Sequence, residues 1–266
     1  MKSNLLMLLL LFCFNSISAQ DVRDFNTNNT LSIGFGISAG NIKDTRLSNK
    51  FITAVNPKYS ISYRQANDKR ISQVKLDFVH YKDKRNSLAN FNAIKSNVYY
   101  SYEQKIGDGF YFGGFFDHST LLNFPSDEKK FFVNNSISYT LLQSLGPKIS
   151  YVNTFDRFVF TSSAQTALLS YTVQPIYGHP YPEQFLDERV FNPTLEGLAR
   201  PLVRSGKLLT WNKFRSMRID LGFSYFITPA LAVGLDYSAD LFYANANGKS
   251  VFFNSQDLLF KASFIH

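Results

Sequence analysis

Arg218-Ile-Asp-Leu-Gly-Phe-Ser-Tyr225 and, just beyond it, Leu231-Ala-Val-Gly-Leu-Asp-Tyr-Ser-Ala-Asp240 decide the fold. In the first stretch Ile219, Leu221, Phe223 and Tyr225 alternate with Arg218, Asp220, Gly222 and Ser224. In the second, Leu231, Val233, Leu235, Tyr237 and Leu241 oppose Gly234, Asp236, Ser238 and Asp240. Successive side chains of a β-strand point to opposite faces, so each stretch is a strand with one apolar and one polar face. Working outward, the same period recurs. Pro57, Tyr59, Ile61 and Tyr63 oppose Asn56, Lys58, Ser60, Ser62 and Arg64; Val74, Leu76 and Phe78 oppose Gln73, Lys75 and Asp77. Ile94, Val98, Tyr100 and Tyr102 oppose Lys95, Asn97, Ser101 and Glu103, and Val133, Ile137, Tyr139 and Leu141 oppose Asn134, Ser136, Ser138 and Thr140.

Two all-β architectures give this pattern. In a soluble sandwich the apolar face is the core; in a transmembrane barrel it meets lipid and the polar face lines the lumen. Length separates them. Sandwich strands run to about five or six residues, whereas these run roughly ten to fourteen, enough for a tilted span. Tyr and Phe crowd the segment ends, as at Tyr99-Tyr100, Phe110 to Phe112, Phe242-Tyr243 and Phe252-Phe253, which suits two interfacial girdles. The composition agrees. The chain of 266 residues is 16% aromatic and 18% charged, with a mean hydropathy of −0.13 that excludes a bundle of membrane-spanning helices. Its aromatic content excludes disorder.

Residues 1–19 read as an export signal: Lys2 is the charged region, Leu5 to Phe14 the apolar run, and Ala19 the small residue at the cut. Cys13, the one cysteine, leaves with it, so no disulfide or thiol chemistry is expected of the barrel, residues 20–266. Lys2 is the only charge removed, and the formal +8 falls by one. Short turns are expected at 66–70, 107–109, 143–147 and 228–229, and longer connections near 40–50, 82–92, 119–130 and 244–256. Short ones belong to the periplasmic side. Eleven segments stand out, near 31–39, 51–64, 71–81, 93–106, 109–118, 131–142, 146–155, 158–173, 216–227, 230–243 and 257–265. An even number is required, so an up-and-down antiparallel barrel of about twelve strands is expected, the twelfth within 174–215. Ten is the alternative, if the segments between 146 and 173 are wrongly divided.

The export signal, the alternating spans and the final strand Asp257-Leu-Leu-Phe-Lys-Ala-Ser-Phe-Ile-His266 resemble the porin-like outer-membrane β-barrel proteins of Gram-negative bacteria. The likeness is architectural and covers nearly all of residues 20–266. It implies a barrel in the cell outer membrane, in contact with outer-membrane lipid and lipopolysaccharide. It also implies an assembly signal at a terminal aromatic; here Phe264 stands two residues before His266.

Residues 174–215 are the least barrel-like part, with Pro175, Pro180, Pro182, Pro193 and Pro201 among Tyr177, His179, Tyr181, Phe185 and Phe191. Such length suggests a functional loop or plug, and a plain surface loop is the alternative. Arg200, Arg204, Lys207, Lys213 and Arg215 form a basic patch suited to lipid phosphates or an acidic envelope partner, or simply to solubility. Nucleic acid is no partner for an exported barrel.

Outer-membrane lipases place a Ser and a His two apart on one strand face. Asp117-His118-Ser119 puts them on opposite faces, so no enzymatic activity and no catalytic residue is expected. Four scattered His and no carboxylates at ligand spacing suggest no metal and no cofactor.

That leaves the lumen. Lys58, Arg64, Lys75, Lys95, Lys105, Lys148, Arg218 and Lys261 are assigned to it, against Asp77, Glu103, Asp220, Asp236 and Asp240. A narrow pore or transport barrel for small polar solutes, with a mild anion preference, is the first reading. A structural barrel binding an envelope partner through 174–215 is the second, and a lipid-modifying enzyme the third.

Overall fold

The computed structural model describes residues 28–45, 51–82, 91–125, 138–173, 206–246 and 249–266, and all regular structure among them is β. The strands are β1 (Asn29–Asp44), β2 (Ile52–Asn67), β3 (Arg70–Lys82), β4 (Phe91–Lys105), β5 (Phe110–Pro125), β6 (Ser138–Phe155), β7 (Phe158–Thr166), β8 (Leu169–Val173), β9 (Lys207–Thr210), β10 (Phe214–Thr228), β11 (Leu231–Ala246) and β12 (Lys249–Ile265). Ten of them close a ring of antiparallel pairings. β1 to β7 pair in chain order, β7 passes to β10, and β10, β11 and β12 lead back to β1. β8 and β9 stand outside that ring: β8 pairs with residues 141–145 of β6, and β9 pairs with β8, prolonging the wall beyond β7 and β10. The sheet therefore has twelve strands and the closed barrel ten. Closure leaves no sheet edge in the membrane, the condition for a β protein to cross it.

Both numbers were open from the sequence, and residues 143–147 decide between them. The expected turn there does not form. β6 runs straight through Gly146 and Pro147, while the turn that reverses the chain is the pair Asp156-Arg157, with Asp156 at φ 50°. Asp tolerates this left-handed conformation because its short polar side chain can bond locally. Between Lys148↔Gln165 and Leu145↔Leu169 three residues oppose two, a bulge in the ladder. Pro147, which has no N–H to donate, sits at that break, as strand prolines do. A Cβ on Gly146 would collide with the Thr166 carbonyl, so only glycine admits the close approach of the two strands.

Tight connections at 68–69, 106–109, 156–157 and 229–230 all lie at the end that carries Asn29 and His266, here termed the turn end. The opposite, loop end carries the longer connections. The expected long connection at 244–256 is another correction: β11 continues to Ala246 and β12 starts at Lys249, each pairing with the other to that point. Residues 1–27 and most of 174–215 lie outside the described residues.

The alternation becomes two chemically distinct surfaces. Outward, Ile33, Phe35, Tyr59, Leu76, Val98, Ile219, Phe223 and Phe260 are exposed around the whole ring. An apolar band this continuous is covered by hydrocarbon rather than water. Inward, apolar side chains gather mainly at two levels. Ile71, Tyr111, Val152, Val159, Phe226 and Ile265 pack across the lumen at the turn end, and Tyr81, Leu121, Leu142, Phe214, Phe242 and Phe253 at the loop end. This revises the girdle reading. Adjacent residues of a strand cannot share a face, so Tyr99, Tyr111, Phe242 and Phe253 turn into the barrel while Tyr100, Phe110 and Phe112 remain outside.

Candidate functional site in the barrel lumen

Between the two apolar layers lies a belt of charge. Lys58, Lys95, Glu103 and Arg218 are buried there, and Arg64, Lys75, Asp77, Asp220, Asp236 and Asp240 face the same space half-buried. Each sits at an inward position of its strand, placed by the two-residue period. Lys148 and Lys261 join them. Lys105 does not: it is exposed beside the turn at 106–109. Three acids that the sequence reading left out also point inward, and Asp44, beyond Ile42 on β1, is the one nearest the loop end. Asp257 continues the inward row Leu259, Lys261, Ser263 of β12, and Asp117 the row Phe115, Ser119 of β5. Among the described residues seven cations thus meet eight acids, and the basis for an anion preference of the lumen as a whole disappears.

The charges are paired, and several pairs span the lumen. Lys58 Nζ lies 2.6 Å from Asp257 and 3.1 Å from Asp77, whose same oxygen also receives Lys75 at 3.5 Å and Arg218 at 3.8 Å. Asp257 further accepts hydrogen bonds from Ser38 Oγ at 2.5 Å and Ser238 Oγ at 3.2 Å. Lys148 pairs with Glu103 at 2.9 Å, Lys261 with Asp236 at 2.7 Å, and Arg218 Nε donates to both oxygens of Asp220 at 2.9 and 3.1 Å. Lys95 Nζ reaches Asp240 at 2.7 Å. β4 and β11 are five strands apart around the ring of ten, as are β10 and β3. The Lys95–Asp240 and Arg218–Asp77 contacts therefore bridge diametrically opposite walls. Aromatic faces support the cations: Lys95 Nζ stands 3.8 Å from the centre of the Phe253 ring, and Lys148 and Arg218 lie over Tyr99 at 5.4 and 5.7 Å.

Toward the turn end the bridges enclose a chamber of about 140 Å³, lined by Arg64, Lys75, Glu103, Lys148, Arg218, Asp220, Asp236, Lys261 and hydroxyls including Ser60, Ser62, Ser150 and Ser238. A smaller void of about 10 Å³ lies among Lys58, Asp77, Lys95, Asp240 and Asp257. Among the described residues the lumen is bridged by charge and holds this polar chamber.

Elsewhere the candidates separate. Ser119 Oγ donates inward to Asp117 at 3.2 Å, whereas His118 faces outward with Nδ1 3.4 Å from Gln143 Nε2, so Ser119 and His118 do not meet. Of the basic patch, Lys207, Lys213 and Arg215 are exposed at the loop end near Trp211; Arg200 and Arg204 lie outside the described residues. Among the described residues no three metal-ligating side chains gather.

Fold and lumen together define the outer-membrane type of transmembrane β-barrel. No protein-family model matches the sequence, and no curated protein sequence does either. Solved structures do match in shape. The outer-membrane protease OmpT of Escherichia coli superposes with a TM-score of 0.51 over 94% of this chain and 100% of its own, at 9% identity. The neisserial surface protein A (NspA) gives a TM-score of 0.37 over 88% and 96% at 10% identity, and the translocator domain of the autotransporter NalP from Neisseria meningitidis 0.40 over 99% and 95% at 9%. At 9% identity the likeness to OmpT is one of fold alone.

Proposed function

We propose that the protein is exported to the Gram-negative outer membrane and serves as a narrow transport barrel for small polar solutes, closed at rest. The polar chamber carries this reading. Burying so many charged groups brings a barrel no stability that an apolar core would not, because replacing a buried ion pair by packed apolar residues is often neutral or stabilising. A scaffold alone has no need of a charged interior; a passage for polar solutes does. The cross-lumen bridges and the two apolar layers, which exclude water from a narrow bore, supply the closed state. No chemical step is assigned, and the opposite faces of His118 and Ser119 support that assignment. The exposed Lys213 and Arg215 beside Trp211 support contact with lipid headgroups at the loop end.

Planar-bilayer recording tests the reading. The wild type is expected to show rare, small openings. The combined change Lys95→Ser, Asp240→Ser and Phe253→Ala removes one bridge and part of the loop-end layer, and is expected to raise open probability and conductance together. Background conductance in that variant, with the barrel folded, refutes a transport role.

A further inference from the structure

Three cations that line the chamber are matched one to one with its acids: Lys148 by Glu103, Lys261 by Asp236 and Arg218 by Asp220. Lys75 is not. Its nearest carboxylate oxygen is Asp77 Oδ2 at 3.5 Å, and that oxygen is shared with Lys58 at 3.1 Å and Arg218 at 3.8 Å. The Lys75 side chain is only 13% exposed, so water compensates it poorly. On the next strand Arg64 lines the same chamber. β2 and β3 pair Ser62 with Lys75 and Arg64 with Gln73, which sets Arg64 and Lys75 diagonally on the inner face. Hydroxyls of Ser62 and Ser150 add neutral donors to the lining.

We infer that the chamber binds a small oxyanion, a carboxylate or a phosphate, seated on Lys75 with Arg64 and the seryl hydroxyls around it. The inference gives the solute class for the transport reading above and rests on the same chamber. An under-compensated ammonium in a poorly hydrated space gains most from an anionic partner, because a charge-assisted hydrogen bond there has little competition from water. Guanidinium and hydroxyl donors favour oxygen acceptors over halide. The chamber volume is ample for an ion of a few heavy atoms.

Calorimetric titration of the folded full chain in detergent, with inorganic phosphate and separately with acetate at constant ionic strength, tests this. Saturable binding of either oxyanion is expected, with none of tetramethylammonium. Lys75→Gln is expected to weaken it at least about tenfold, while Lys82→Gln, at the exposed end of the same strand, leaves it unchanged. Should Lys75→Gln fail to fold, Arg64→Gln carries the comparison. Binding of neither oxyanion overturns the inference, and so does binding indifferent to both variants. The two readings separate cleanly. Oxyanion binding by a barrel whose bridge variant stays at background conductance removes transport and keeps the site; a conducting variant with no oxyanion binding does the reverse.

Discussion

Lys58 is the charge whose removal should be felt most. It is 4% exposed and holds two carboxylates, Asp257 at 2.6 Å and Asp77 at 3.1 Å. Lys58→Met keeps much of the volume and removes the ammonium. Asp77 then retains Lys75 and Arg218 at 3.5 and 3.8 Å, but Asp257 keeps only the hydroxyls of Ser38 and Ser238. Each charge-assisted hydrogen bond contributes about 1.5–3 kcal/mol, and orphaning a buried partner brings the cost to roughly 3–5 kcal/mol. The double variant Lys58→Met with Asp257→Leu removes the orphan as well and should recover about 2 kcal/mol or more of that loss. Equilibrium urea unfolding in phospholipid vesicles, followed by circular dichroism, reads the wild type, Lys58→Met, Asp257→Leu and the double variant. A single-variant cost below about 1 kcal/mol, the level of a solvent-exposed pair, would mean that the lumen is hydrated and the belt screened. So would a double variant whose cost is merely the sum of the singles.

Three further expectations concern the wall and the leader. Gly146→Val should prevent folding, since its side chain meets the Thr166 backbone, while Gly114→Ala, whose Cβ has only the Gly146 carbonyl at 3.5 Å, should fold normally; heat-modifiable gel mobility distinguishes them. Leu76→Arg, placed midway along β3 on the outer face, should cost about 2–4 kcal/mol in vesicle unfolding; an unchanged midpoint would place that face outside the membrane. Mass spectrometry of the secreted chain should find Gln20 as the first residue, and retention of residues 1–19 would contradict the export signal.

The strands could be read from sequence because one face of each meets a different solvent from the other, and that contrast is local. Lys58, Asp77, Glu103, Arg218 and Asp240 were placed on the inward face by spacing alone. What spacing could not supply was the chemistry of the ends. Phe214, Phe242 and Phe253 lie on the inward phase of their strands, although Phe242 and Phe253 read as girdle residues at segment ends and Phe214 falls outside the expected segments. Their phase relative to Arg218, Asp240 and Asp257 was the available signal. Asp257 shares the phase of Lys261, four residues on in the same expected strand, and that spacing is the signal for its lumen position. Gly146-Pro147 carries the composition of a turn, and only the bulge opposite residues 166–168 explains how a strand passes through it. That Lys95 reaches Asp240 and Arg218 reaches Asp77 depends on strands five places apart in the ring, and no local pattern encodes that.

The pairing of β1 with β12 governs how the molecule is made. Every other seam of the ring joins neighbouring hairpins or bridges a stretch of some tens of residues; this one brings Thr30 to Ile265. The entropy of closing so long a loop has to be met before its contacts reward it. An open, curled sheet with β1 and β12 as bare edges is thus the natural precursor, and those edges can add a strand from any other chain until they meet. The backbones of Asn29 and His266 already exchange two hydrogen bonds, at 3.2 and 3.0 Å. A short covalent link between them, with new ends cut at residues 68–69, would turn the slow seam into a hairpin and move the exposed edges to β2 and β3. Folding rates of the two connectivities would then show whether seam closure is what limits assembly.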